Sequence, residues 1–172
     1  MSYLASRESQ TWQSMLGAAK LRFEEAEHLY YASQHAGAIY LFGYVVELIL
    51  KSAYFQAEGV YASTDNLERL CRNPSGLLDR SGTPVWSPQQ HSLLGYSERG
   101  HDLMAWYYAL SGIRLVPMQS GTASNALNHT AQVAAVWGTF RRYDSRMAMV
   151  HEARLVHTSV KWLYNNRAVL WS

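Results

Sequence analysis

The residues best suited to chemistry in this chain sit on its greasiest stretch. Between His35 and Glu58, the residues Tyr40, Tyr44, Glu47, Lys51 and Tyr54 recur at three- and four-residue steps among almost continuous aliphatic neighbours. A carboxylate four residues ahead of an ammonium suits an ion pair along a helix. Neither charge is stable in an apolar interior unless it is paired. Glu47 therefore either holds Lys51 or orients a basic group from elsewhere, Arg142 or Arg146, in a cleft. His101 and Asp102 form a second polar pair, just ahead of the apolar run from Leu103. Asp102 fits a helix N-cap, whose side chain accepts an orphan backbone N–H. His101 then packs or hydrogen-bonds nearby, since sequence neighbours rarely face each other as a catalytic dyad at a helix start.

Two further groupings have bland and sharp readings. Tyr40, Tyr44, Tyr54, Tyr107, Tyr108 and Tyr143 can stack nucleobases, or line the walls of a bundle with their hydroxyls in water. Glu25 and His28, three apart, are half of the ligand set of a carboxylate-bridged metal bundle, with Glu47 as a third ligand. The second such motif, Glu98 to His101, spans Gly100, so no metal site is expected. There is no phosphate-binding Gly-Lys loop, no dinucleotide fingerprint and no second cysteine beside Cys71, so no cofactor is expected either.

These residues must be positioned by helices. Trp12, Met15, Leu16, Ala19, Phe23, Ala26 and Tyr30 predict a first helix from Ser9, its N-cap, to Gln34. The second, from His35 to Glu58, carries two apolar ridges, which makes it the central helix. A stretch over about 59–100, with Pro74, Pro84 and Pro88, reads as a loop insertion holding a short helix near 66–72. Helicity resumes after Asp102 and stops near Gly112 or before Pro117. A fourth helix is expected from Thr122 to Phe140, with Leu127, Ala131, Ala134 and Trp137 toward the core. A fifth is expected from Ser145 to Arg167, burying Met149, Ala153, Val156, Val160 and Leu163. The prediction is all-α: one domain over 1–172, an up-and-down bundle of four to five helices.

Composition agrees. The chain of 172 residues is 48% hydrophobic and 16% charged, enough to fill an interior and too apolar for disorder. Ala36–Leu50 is too short for a membrane span and carries Glu47, and Met1–Glu8 lacks the apolar core of a signal peptide. With a single cysteine, no intramolecular disulfide can form, and a cytoplasmic location without membrane contact is the expectation. From Arg141 onward the net charge is +4, against an overall +2, so a basic terminal element faces either phosphate or solvent.

Three blocks resemble the HEPN family of small helical domains. Ala38 to Lys51, ending in Glu, three residues and Lys, is similar to that family's second-helix block. Gly100-His101-Asp102-Leu103 is similar to its His-Asp-Leu helix start, and Trp137 followed by Arg142-Tyr143 to the segment before its last helix. The resemblance implies a bundle of four or five helices, frequent homodimers, and either metal-independent RNA cleavage or RNA and nucleotide binding without cleavage. It also implies toxin–antitoxin or defence roles, with an antitoxin-like protein as partner. Catalytic members use an Arg followed four to six residues later by His, a spacing that Arg146 and His151 meet. Imidazole would move a proton at the ribose 2′-hydroxyl and leaving oxygen, and the guanidinium would stabilise charge at phosphorus. Arg142 aligns with the family's arginine but has no such His, and Met147 stands where a polar residue is usual. On a continuous helix a five-residue step turns about 140°, so the pair converges only if Arg146 lies in the turn ahead of the helix.

Overall fold

The computed structural model describes residues 12–57, 101–113, 120–138 and 148–170. These form five α-helices: α1 (Trp12–Tyr31), α2 (His35–Ala57), α3 (Leu103–Ile113), α4 (Ser120–Val136) and α5 (Val150–Asn165). A 3₁₀ turn, Arg167–Leu170, follows α5. No strand occurs among the described residues, and the chain is an all-α bundle. The insertion expected over 59–100, the short helix near 66–72, the Ser9 cap, and Arg142, Tyr143 and Arg146 lie outside the described residues.

Everything packs on α2. Its glycines and β-branched valines and isoleucines are poor helix formers alone, so burial rather than propensity sustains it. Ile39, Phe42, Val46, Ile49 and Ala53 are buried, as are Val45, Leu50 and Phe55. The third ridge was expected to be a polar edge, yet Glu47, Lys51 and Tyr54 are also buried. Helices α1, α3 and α5 all contact α2. In length and apolar character α2 alone among the described helices resembles a membrane span, but most of it is buried inside the bundle, as befits a core helix.

Helix directions follow from the contacts. The turn after α1 has Ser33 at φ 60, with Gln34 N–H bonded to the Leu29 carbonyl and Ser33 N–H to that of Tyr30. That left-handed helix ending reverses the chain within three residues. Accordingly α1 and α2 are antiparallel, and the Ser52 hydroxyl near the end of α2 donates to the Trp12 carbonyl at the start of α1 (2.7 Å). Tyr30 stacks on His157 and Phe23 on Tyr164, so α5 runs against α1 and along α2. Trp106 of α3 meets Tyr54 and Phe55 while His101 reaches Glu47, so α3 also runs along α2.

Two expected stripes are shifted. Along α4 and just past its end the buried positions are Ala126, Thr130, Val133 and Trp137, whereas Leu127, Ala131 and Ala134 are half-buried at its flank. The apolar count passed over Thr130, a polar residue at the centre of the contact. In α5, Ala153, Val156, Val160 and Leu163 are buried as expected, but Ala148 and Met149 are not helical and Met149 is 61% exposed. The helix starts at Val150, so Met149 occupies the position just ahead of it instead of filling the core.

Trp137, just past α4, donates its indole N–H to the Tyr40 carbonyl (3.0 Å), and its ring lies over Gly43. A Cβ at Gly43 would stand 2.0 Å from the indole. Gly43→Ala should therefore cost about 1–3 kcal/mol through overpacking. Urea unfolding followed by tryptophan fluorescence checks this, and an unchanged midpoint would remove the close approach from the account.

Candidate functional site

Glu47 has a side chain only 5% exposed, and its two oxygens are divided between two partners. Lys51 Nζ, equally buried, donates to Oε1 at 2.5 Å. His101 Nδ1 lies 2.8 Å from Oε2. Carboxylate oxygens only accept, so His101 carries its proton on Nδ1 and donates. Its ring is 37% exposed, so this cluster runs from the core to the surface at the seam of α2 and α3. Lys51 also lies over the Trp106 ring, 5.1 Å from its centroid, a contact worth about 2 kcal/mol when desolvated. Tyr44 sits edge-on to both His101 and Trp137, and its hydroxyl is 3.1 Å from that of Tyr40.

Asp102 caps α3 as expected, its Oδ1 accepting the Ala105 N–H at 2.9 Å. Of the partners open to Glu47, Lys51 is in place and His101 joins it from the start of α3, whereas Arg142 and Arg146 lie outside the described residues. Fifty-four residues separate Glu47 and His101, so nothing local links them. The available signal was a carboxylate on a greasy helix, which had to find more than one donor. Of the other tyrosines, Tyr54 and Tyr107 are buried, and burial raises the Tyr107 hydroxyl above its usual pKa. Tyr108 is exposed.

The structure does not bring His151 to this cluster. Helix α5 lies on the Phe42 side of α2, where His157 and Phe42 are level. Phe42 and Glu47 point about 140° apart on the helix. His151 is six residues before His157, and Glu47 five after Phe42, which places them about 16 Å apart along the bundle axis. At Glu47 this edge of α2 thus faces the start of α3, while Arg142 and Arg146 lie outside the described residues. His151 itself is exposed in the first turn of α5. Behind it, the Glu152 carboxylate accepts the Met149 N–H at 3.1 Å, one half of a capping box.

The rest of α5 is tied down on both flanks. Toward α1, His157 Nε2 lies 3.3 Å and Lys161 Nζ 3.7 Å from Glu27 Oε1. Toward α4, the buried Ser159 hydroxyl donates to Gln132 Oε1 (2.6 Å) while His129 Nδ1 lies 3.3 Å from Ser159 Oγ. The serine's proton is committed to Gln132, so His129 must donate from Nδ1. Its ring stacks on Trp162, and burial lowers its pKa against a smaller raising effect from Gln132.

The metal reading loses its geometry. Glu25 is ion-paired with Arg22 on an exposed face, His28 is also exposed, and Glu47 is buried elsewhere. Among the described residues no group of three or more His, Cys, Asp or Glu gathers in ligand range.

A protein-family model described as HEPN domain matches residues 12–111. The matched stretch carries Glu47, Lys51, His101 and Asp102, and ends before Arg142, Arg146 and His151. No curated protein and no solved structure matches.

Two outcomes follow from this geometry. Glu47→Ala strands a buried ammonium and should cost about 3–5 kcal/mol in chemical denaturation. Glu47→Gln combined with Lys51→Met should recover most of that loss, and a combined variant as weak as Glu47→Ala would contradict the assignment. For His129, the folded pKa lies below the unfolded one, so the unfolded chain takes up the proton first. Its stabilising contribution is complete above the ordinary imidazole value of about 6.5 and is lost as pH falls through the folded pKa. Between pH 8 and pH 5.5 the unfolding midpoint should drop further in the wild type than in His129→Gln.

Proposed function

Because the chain belongs to the HEPN domain family, we propose that it acts on RNA as a metal-independent endoribonuclease, with Arg146 and His151 as its working pair. The observation that supports this reading is the placement of His151, exposed in the first turn of α5 behind a non-helical Ala148-Met149. A helix running through from Arg146 would have turned the two side chains apart, and α5 does not extend that far back. In the proposed step His151 accepts the ribose 2′-hydroxyl proton as that oxygen attacks the adjacent phosphorus. The bond to the 5′ oxygen breaks, and that oxygen leaves with a proton returned from the imidazolium. A 2′,3′-cyclic phosphate and a 5′-hydroxyl result, and Arg146 stabilises the charge on the non-bridging oxygens.

In the same proposal Arg142 and Tyr143 hold the RNA backbone and a base. Asp102 and His101 fix the start of α3, and Glu47 with Lys51 fixes His101. The working form is a cytoplasmic homodimer in a toxin–antitoxin or defence system, restrained by an antitoxin-like protein. A non-catalytic RNA-binding and dimerisation module of the same fold is the second reading. It is favoured by the family match ending ahead of the proposed pair and by Met147 where a polar residue is usual.

Incubating mixed RNA with the protein in EDTA, with cyclic-phosphate ends as readout, tests the assignment. The wild type should cleave, and His151→Ala should be at least about a hundredfold slower with an unchanged melting curve. Cleavage that persists in His151→Ala removes the residue from the mechanism, and RNA binding without cleavage by the wild type selects the module.

A further inference from the structure

We propose that Arg154 is a second arginine of the His151 site, holding a phosphodiester of the RNA against the imidazole. The inference rests on the RNA reading above and adds a residue that lies outside the Arg146–His151 pair.

The argument starts from the charges of α5. Glu152 turns back to the Met149 N–H, and Lys161 is drawn to Glu27. Arg167, just beyond the helix, donates to the Tyr164 carbonyl and lies 4.3 Å from the centroid of the same tyrosine's ring. Arg154 is exposed and, among the described residues, has no ion-pair or hydrogen-bond partner. Among the described residues it is the arginine or lysine of this helix that meets no carboxylate or carbonyl.

Its position matches the chemistry. Three residues separate Arg154 from His151, which makes them neighbours on one helix face, with Cβ atoms about 5–6 Å apart. Long helical side chains lean back toward the N-terminus, so the Arg154 guanidinium projects over the turn that carries His151. Ala153 and Val156 between and beyond them point into the core, and Leu155, half-open to solvent one turn on from His151, flanks the pair on the same side. A planar guanidinium can take two non-bridging phosphate oxygens at once while the imidazole beside it faces the ribose hydroxyl. The N-terminal end of the helix dipole adds a weaker attraction of the same sign.

Because Arg154 is exposed and has no partner among the described residues, replacing it should leave the fold intact, and melting curves provide the control. The test compares wild type, Arg154→Ala, Arg154→Lys and His151→Ala on one single-stranded RNA in EDTA, measuring cleavage and salt-dependent binding. The expected result for Arg154→Ala is a KM raised about tenfold and a binding salt slope reduced by about one phosphate contact. Arg154→Lys should restore the slope but not the full KM, since an ammonium cannot grip two oxygens. An Arg154→Ala protein with wild-type KM and salt slope overturns the proposal, whereas loss of cleavage in His151→Ala alone leaves the ribonuclease reading standing. If the wild type binds RNA without cutting it, the ribonuclease reading falls. The salt slope then decides Arg154 by itself: unchanged overturns it, reduced supports it.

Discussion

The bundle depends on one buried carboxylate. Glu47 sits in the middle of the most apolar helix of the chain, where an unshared negative charge would be untenable. It is held because Lys51 neutralises it from one turn further on and His101 binds its other oxygen from a different helix. The first bond is local and would form in many helices. The second fixes how α3 sits against α2, because His101 immediately precedes the Asp102 cap. Trp106 then covers Lys51, and its contacts with Tyr54 and Phe55 continue the same seam. A polar triad inside a greasy core adds little net energy, but it makes one register of the two helices far better than its neighbours.

On the opposite side of α2 the packing is of another kind. Phe23, Phe42, Tyr30, Tyr164 and His157 form a run of ring contacts between α1, α2 and α5 with only peripheral charge. Such a surface is shaped by volume, and α5 is kept in place by its two flanking hydrogen-bond groups, Glu27 on one side and Ser159 with Gln132 on the other. The two faces of α2 therefore serve different ends. One specifies where α3 begins, and the other carries the helix whose first turn displays His151.

Much of this was legible in the letters. The periodicity of α1 and α2, the cap at Asp102, the centrality of α2 and the pairing of Glu47 with Lys51 are local features, set by residues within one or two turns of each other. What escaped was non-local or depended on a helix end. The bond from His101 to Glu47 crosses more than fifty residues, so the chain shows only two polar groups, each in need of a partner. The start of α5 was placed too early because Met149 fits the apolar spacing, and spacing cannot tell a buried methionine from one just ahead of an exposed end. In α4 the register moved because a threonine occupies the centre of the contact, and a hydrophobic pattern is blind to a buried hydroxyl. The contact of Glu47 with the start of α3 escaped for a related reason: a helix wheel gives angles between residues but not which neighbour lies at each angle.

The exposure of the first turn of α5 has an evolutionary consequence. Met149, Val150 and His151 are all open to solvent, and the buried part of the helix begins only with Ala153. Substitutions in that turn spend almost none of the molecule's stability. A lineage carrying this scaffold can thus gain, alter or discard reactive groups there while the buried core stays untouched, and close cousins with identical cores need not share an activity.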